Sequence, residues 1–321
     1  MSDGLFARIR AASKAVTERA QFVGINHDRI EGYASSLATD KLVRPKLDTN
    51  AHYLGHGEAT AIFVLVLDTI NFGSGYFPHL AKRAGQSGYF TIASGLKNRF
   101  EERGPFTPVE LARLSRSECA QMLGQDLAYQ PIVELVELLT SALRQLGWFL
   151  INNYGASFAA MLGAAAGSAE TLVQTLERMI FFRDVENYAG TEVPFYKRAQ
   201  LTAADLALAC DGEGYGRFHD LDHLTIFADN LVPHVLRVDK VLTYDERLAR
   251  RIEAGELIPP GSREEIEIRA CALHAAELIR AALEEKGVYA RSIDLDYLLW
   301  NRGQLANYKA IPRHRTKTVF Y

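Results

Sequence analysis

Between Phe181 and Asp229 the chain gathers acids, cations and aromatic rings around two short phrases, Phe195-Tyr-Lys-Arg-Ala-Gln200 and Phe218-His-Asp-Leu-Asp-His-Leu-Thr-Ile-Phe-Ala-Asp229. A buried charge needs a partner, so ionisable groups at this density cost stability unless they serve another purpose. Carboxylate chemistry on an anionic, ring-bearing substrate would be such a purpose. Asp229 ends the apolar strip Ile226-Phe227-Ala228 and stands before Asn230-Leu-Val-Pro233, where a proline-started helix begins. That position suits a functional carboxylate and a helix N-cap equally well. For Asp220 and Asp222, capping of the intervening helix is the better reading. Lys197 and Arg198 lie just before Thr202-Ala-Ala-Asp205, which reads as a helix start. Adjacent cations there could hold a phosphate, lysine as a point charge and arginine as a bidentate fork. The plainer account pairs them with Asp184, Glu186 or Glu192 on a solvated face, as most charge runs are.

Other phrases offer parts of a site. Asp68-Thr-Ile-Asn-Phe-Gly-Ser-Gly-Tyr-Phe77 ends an apolar run with an acid, an amide, aromatics and glycines, a loop able to wrap a planar ring or a simple polar turn. His52-Tyr-Leu-Gly-His56 has metal-like spacing but lacks the glutamate after the first histidine that a zinc protease uses, so no metal is expected. His52 reads as a hydrogen-bonding partner for substrate or as a satisfied structural residue. Gly212-Glu-Gly-Tyr-Gly216 matches neither the Walker nor the dinucleotide fingerprint and reads as a loop.

The elements that must position these groups are mostly helices. Thr107-Pro-Val-Glu110 is a capping box opening a helix with Leu111, Leu114 and Met122 on its apolar stripe. Ser262-Arg-Glu-Glu265 opens another, carrying Ile266, Ala270, Leu273, Ala276 and Leu283 and stopping at Lys286-Gly287. Further helices are predicted over 8–20, 131–148, 169–181, 202–210, 233–239 and 244–254. The continuous apolar run Ala61–Asp68 has no period that separates helix from strand, and is read as helix. Short β pairing is predicted at Gly85–Thr91 and around Thr191–Pro194. Alternation in Arg313–Tyr321 suggests a final strand whose Val-Phe-Tyr end docks into the core and whose basic residues could face an anion. Gly255–Gly261 is a turn-rich connector, too short to mark a domain boundary. The expectation is one compact, mainly α domain over residues 1–321 with a few short strands.

Composition narrows the classes. At 321 residues, 48% hydrophobic and 23% charged, the chain falls among ordinary globular proteins. A net charge of −3 gives no bulk attraction to a polyanion, which lowers the expectation of a nucleic-acid partner. Cys119, Cys210 and Cys271 are dispersed, without a Cys-x-x-Cys pair, and fit a reducing compartment. The opening Met1–Arg10 lacks a signal-peptide core and no apolar run has the length of a membrane span, so the chain reads as cytoplasmic.

Taken together, Leu67-Asp-Thr-Ile-Asn-Phe72, Ser87-Gly-Tyr-Phe90, Phe182-Arg-Asp184, Phe195–Gln200, Leu224-Thr-Ile-Phe-Ala-Asp229, Glu265-Ile-Glu-Ile-Arg269, Asp296-Tyr-Leu-Leu-Trp300, His314-Arg315 and Phe320-Tyr321 resemble the queuosine salvage protein family, over nearly the whole chain. The resemblance implies hydrolysis of the N-glycosidic bond of queuosine 5′-monophosphate, releasing the 7-deazaguanine base queuine for tRNA modification, with no cofactor. It also implies a helix-hairpin-helix core related to helical DNA glycosylases, with Asp229 facing the anomeric carbon. On that reading Lys197, supported by Arg198, meets the 5′-phosphate, while Phe72, Phe227 and Trp300 stack on the base. Asp296, His52 and Asp68 hold its polar edge, and Asp184 is a further substrate-binding residue. The glycine-rich stretch after Phe72 is longer than in animal members, which bears on contacts after Phe72 alone. Rival readings are a metal-dependent nucleotide or nucleoside hydrolase using Asp220, Asp222 and Asp229, and a non-enzymatic queuine- or tRNA-binding module.

Overall fold

A computed structural model describes residues 4–39 and 45–321, so the first three residues of the Met1–Arg10 opening lie outside it. The chain is mainly α-helical and divides into two compact units, each discontinuous in sequence. The first contains residues 1–45, 184–197 and 222–317; the second contains 46–183, 198–221 and 318–321.

In the first unit α1 (Leu5–Thr17), β1 (Val23–Ile25) and α2 (His27–Thr39) come first in the chain. The hairpin of β2 (Val185–Tyr188) and β3 (Thr191–Pro194) follows, its Glu186 opposite Val193 in antiparallel register, as expected near Thr191. Then come α11 (Val232–Val238), β4 (Leu242–Tyr244), α12 (Glu246–Glu253), α13 (Arg263–Glu285), α14 (Ser292–Gly303) and α15 (Ala306–Lys309). β4 pairs antiparallel with β1, Gly24 opposite Thr243. α13 is the axis of this unit, buried without interruption from Glu265 to Leu273 and packed on α1 and α2. A helix this enclosed carries charge only if each charge is satisfied. Glu267 meets that condition: Oε2 accepts the amides of Gln21, Phe22 and Val23 at 3.0, 2.6 and 3.1 Å, and Oε1 accepts the Tyr188 hydroxyl at 2.7 Å. One side chain thereby fixes the approach to β1 and the end of β2.

The second unit holds α3 (Glu58–Thr69), α4 (Gly88–Arg103), α5 (Pro108–Arg113), α6 (Arg116–Leu123), α7 (Gln130–Tyr154), α8 (Phe158–Ala164), α9 (Ala169–Leu176) and all but the first residue of α10 (Lys197–Ala209). α3 is buried on every side from Thr60 to Thr69, which is why its sequence shows no period. α5 lies against α7 where Gly147 stands: a Cβ there would come within 2.4 Å of the Ala112 nitrogen. Gly73, at φ +95°, is required twice over, since a Cβ would also meet Leu135 Cδ1 at 2.5 Å. Its amide donates to the Tyr321 carbonyl at 3.0 Å, and Tyr321 is buried, so the C-terminus docks as expected.

Several expectations are corrected. Gly85–Thr91 forms no β pairing; Ser87 accepts the Phe90 amide at 3.3 Å and caps α4. The helix opened by Thr107 stops at Arg113, because Ser115 and Glu118 form a second capping box that starts α6. Residues 313–321 make no strand, only an isolated bridge between Leu257 and Arg315. At Ser262 half of the capping box forms: Ser262 accepts the Glu265 amide, while Glu265 turns towards Arg269 at 3.6 Å.

Candidate active site

Asp229 stands at the end of the buried irregular segment Leu224–Ala228, and two charged side chains hold that segment in place. Asp296 of α14 accepts the Phe227 amide at 2.7 Å, and Arg269 of α13 donates from Nε to the Ala228 carbonyl at 2.9 Å. Both groups anchor backbone that no ladder or helix pairs, which a buried segment needs. Asp229 itself is half-buried. Its Oδ1 accepts the amides of Leu231 and Val232 at 2.7 and 3.1 Å, the first free donors of α11. Its Oδ2 has no hydrogen bond among the described residues. The capping and functional readings therefore fall on different oxygens of one carboxylate: two amides hold Oδ1 and fix the direction of Oδ2.

Asp184 organises the rest of this unit's polar interior. Arg269 reaches it with both forks, Nη1 to Oδ1 at 2.9 Å and Nη2 to Oδ2 at 2.6 Å, over the ring of Phe195 at 4.0 Å. Oδ2 also accepts the Lys197 amide at 3.0 Å, and the Asp184 carbonyl accepts the amides of Phe195 and Tyr196. Tyr196 is held at φ +47° by that turn, and α10 begins at the next residue. Asp184, expected to bind substrate, has both oxygens engaged within the protein at 2% exposure, in a pair that sets the start of α10. Nearby, burial and the Glu265 carboxylate push Glu186 up to about 7, which lessens the crowd of negative charge around Arg269. Lys197 is the exception: it is 7% exposed, and its ammonium has no hydrogen bond or ion pair among the described residues. The small exposed part of this residue leaves the ammonium able to meet an anion from outside. Trp300, half-buried, lies one helical turn beyond Asp296 on α14, and Phe227 is buried.

The second unit places the remaining expected residues. Arg198 is fully buried between the rings of Phe72 and Phe182, at 4.8 and 4.7 Å. Its Nη1 donates to the carbonyls of Asp68 and Thr69 at 2.9 and 2.7 Å, and its Nη2 to the carbonyl of Phe181. The fork expected on a phosphate is thus a C-terminal cap of α3, where carbonyls have no intrahelical partner. Phe72, expected to stack on a base, packs under Arg198 and beside Phe181. Asp68 is wholly buried at the end of α3, with Oδ1 3.4 Å from the Asn71 amide nitrogen. His52 has both ring nitrogens on protein partners: Nδ1 donates to the Asp48 carbonyl, and Nε2 accepts the Tyr89 hydroxyl, both at 2.8 Å. Burial lowers its pKa, consistent with that neutral tautomer. Asp220 accepts the Ser168 hydroxyl and the amides of Ala169 and Glu170, capping α9. In the first unit Asp222 pairs with Arg291 at 3.3 Å. Among the described residues no three His, Cys, Asp or Glu side chains converge as metal ligands.

Sequence reading gave Arg269 no role. The available signal was an arginine between Ile268 and Ala270 inside an apolar helical run, which requires a buried partner. Arg313 was marked only as one of the terminal basic residues that could face an anion; its half-buried guanidinium lies in the field of Asp229.

A family model described as queuosine salvage protein matches residues 51–321. The chain is 35% identical over 318 residues to the queuosine 5′-phosphate N-glycosylase/hydrolase of Sphaerobacter thermophilus, covering 98% of this chain and 97% of the relative. The protein of that name from Dictyostelium discoideum is 35% identical, covering 82% of this chain and 79% of its own. The Bos taurus protein is 31% identical, covering 99% and 100%.

Proposed function

The chain belongs to the queuosine salvage protein family, and on that premise we propose that it hydrolyses the N-glycosidic bond of queuosine 5′-monophosphate, freeing queuine for reuse in tRNA modification and ribose 5-phosphate. The observation that carries the reading is the divided carboxylate of Asp229, one oxygen held by two amides and the other without a hydrogen bond.

Cleavage builds positive charge on the ribose. An oriented carboxylate at the anomeric carbon stabilises that charge without having to reorganise. Water then supplies a hydroxyl to the anomeric carbon, and the glycosidic nitrogen gains a proton. Lys197 meets the 5′-phosphate as a point charge, which gives a counter-charge to an ammonium that has no hydrogen bond or ion pair among the described residues. Trp300, half-buried on the helix of Asp296, offers a face for the planar base. Asp184, Arg269 and Asp296 are positioning residues: they set Lys197 and the backbone that delivers Asp229.

We read the interleaved units as one domain of a hydrolase, since neither is continuous in sequence. Kinship with helical DNA glycosylases and a cytoplasmic location belong to the same proposal. Among the described residues no helix is long and apolar enough to cross a membrane.

The test is incubation with queuosine 5′-monophosphate and chromatography for free queuine and ribose 5-phosphate. Base release that scales with enzyme supports the reading, and no release at any enzyme concentration sinks it. Activity lost to a chelator and restored by Mg²⁺ would favour the metal-dependent rival.

A further inference from the structure

The residues that follow α15 bring a second cation to Asp229. Asn230 Nδ2 donates to the His314 carbonyl at 3.5 Å, and Arg237 Nη1 donates to the Pro312 carbonyl at 3.4 Å. Between those two anchored carbonyls lies Arg313, beside the wholly enclosed His314 and opposite the residue that follows Asp229. Its guanidinium is half-buried and has no hydrogen bond or ion pair among the described residues. Burial lowers its pKa and the Asp229 charge raises it again, so the two groups share a field without forming a salt bridge.

The other candidate cations are accounted for. Arg269 is held by Asp184 and the Ala228 carbonyl. Arg237 is shared between the Pro312 carbonyl and Glu253. Arg198, the fork that the sequence offered for a phosphate, caps α3. Lys197 supplies only a point charge, whereas a phosphate presents several acceptor oxygens and suits a planar fork. A guanidinium has five N–H donors, and those of half-buried Arg313, met by no acceptor among the described residues, are open to an anion.

We propose that Arg313 is a substrate-binding residue that forks the phosphate of the nucleotide, in the role that the sequence offered to Arg198. The proposal rests on the reading of the chain as a hydrolase of a nucleoside 5′-monophosphate. With substrate bound, a guanidinium engaged by phosphate does not close on the Asp229 carboxylate, whose charge stays available to the anomeric carbon.

The experiment compares wild type, Arg313→Gln and Arg313→Lys, first by calorimetric titration with ribose 5-phosphate. Loss of a charge-assisted fork weakens binding by about 10- to 100-fold in Arg313→Gln, with Arg313→Lys between the two. Undiminished affinity in Arg313→Gln overturns the proposal. Kinetics supply the second readout, with Arg313→Lys standing in should the glutamine variant not fold. kcat/KM for queuosine 5′-monophosphate falls by a similar factor, mainly through KM, while the unphosphorylated nucleoside reacts as with wild type. Equal losses on both substrates would place Arg313 on the reacting carboxylate and overturn the phosphate contact. If wild type binds ribose 5-phosphate through Arg313 yet releases no base, the hydrolase reading fails and the phosphate contact stands.

Discussion

Substituting Asp229 by asparagine and by alanine separates its two duties, because they fall on different oxygens. Asparagine keeps a carbonyl oxygen that can accept the Leu231 and Val232 amides, held at 2.7 and 3.1 Å in the wild type. What it loses for stability is the charge at the N-terminus of α11, about 0.3–1 kcal/mol. Alanine loses the acceptor as well, about 1–2 kcal/mol in all. In a chain of 321 residues these correspond to falls of only about 0.5–3 °C in Tm, with Asp229→Ala the lower. Turnover is different, since both variants lack the anionic oxygen that faces developing charge. Removing one such preorganised group costs about 10²–10³ in kcat. The assays are queuine release from queuosine 5′-monophosphate under saturating substrate and calorimetric unfolding of the same preparations. The expected pattern is two variants almost equally inactive but unequally stable. If Asp229→Asn keeps activity within about tenfold of wild type, the carboxylate is a helix cap and the reaction centre lies elsewhere.

Four further outcomes follow from the burial and pairing of single groups. Asp184→Ala leaves the fully buried Arg269 without its bidentate partner and should cost about 3–5 kcal/mol in denaturant unfolding. Arg198→Met orphans the carbonyls of Asp68, Thr69 and Phe181, each worth about 1–3 kcal/mol, so stability drops while KM of the folded fraction hardly changes; a selective rise in KM would restore Arg198 to the substrate. Lys197→Met orphans nothing, so Tm holds or rises, while KM for the monophosphate increases about tenfold and kcat changes little. His314, fully enclosed and pushed down to about 3 by burial and the charge of Arg313, stays neutral in the folded chain. Between about pH 6.5 and about 3 the unfolded chain binds the extra proton, so stability falls as pH falls, by up to about 1.4 kcal/mol per unit. Unfolding midpoints of His314→Gln should show a shallower acid slope across that window, and an unchanged slope would assign it to other groups.

The parts of the fold legible in the sequence are those whose cause is local. Ser262 and Thr107 announce helix starts because an oxygen three residues from a free amide satisfies it wherever the helix lies. The same rule was present at Ser87 and Ser115, and it outweighs the aromatic and β-branched content that suggested a strand at Gly85–Thr91. α3 was harder because burial on all faces erases the period by which helices are recognised. The terminal alternation misled for a related reason: His314, Thr316 and Thr318 alternate in burial without any neighbouring strand, since side-chain pattern does not create a backbone partner.

The division of labour between Lys197 and Arg198 lay beyond local reasoning, and its cause is geometric. Successive helical residues point about 100° apart, so adjacent cations at the start of α10 cannot serve one ligand as a single fork. One of them had to turn inwards. Arg198 could do so because its donors match a helix end that offers several carbonyls at once, and because its flat guanidinium fits between Phe72 and Phe182. A lysine there would satisfy the same carbonyls with a smaller, more strongly hydrated charge and would not stack. The lysine stands where backbone fixed by Asp184 holds it and no carboxylate neutralises it. Exchanging the two residue types, as Lys197→Arg together with Arg198→Lys, keeps the net charge and composition of the tract. It should nevertheless lose the α3 cap and most stability, which no reading of the pair as one basic patch would anticipate. A double variant that unfolds with wild-type midpoint would mean that the carbonyls of Asp68 and Thr69 do not depend on the fork, and the separation of roles argued for these neighbours would be lost.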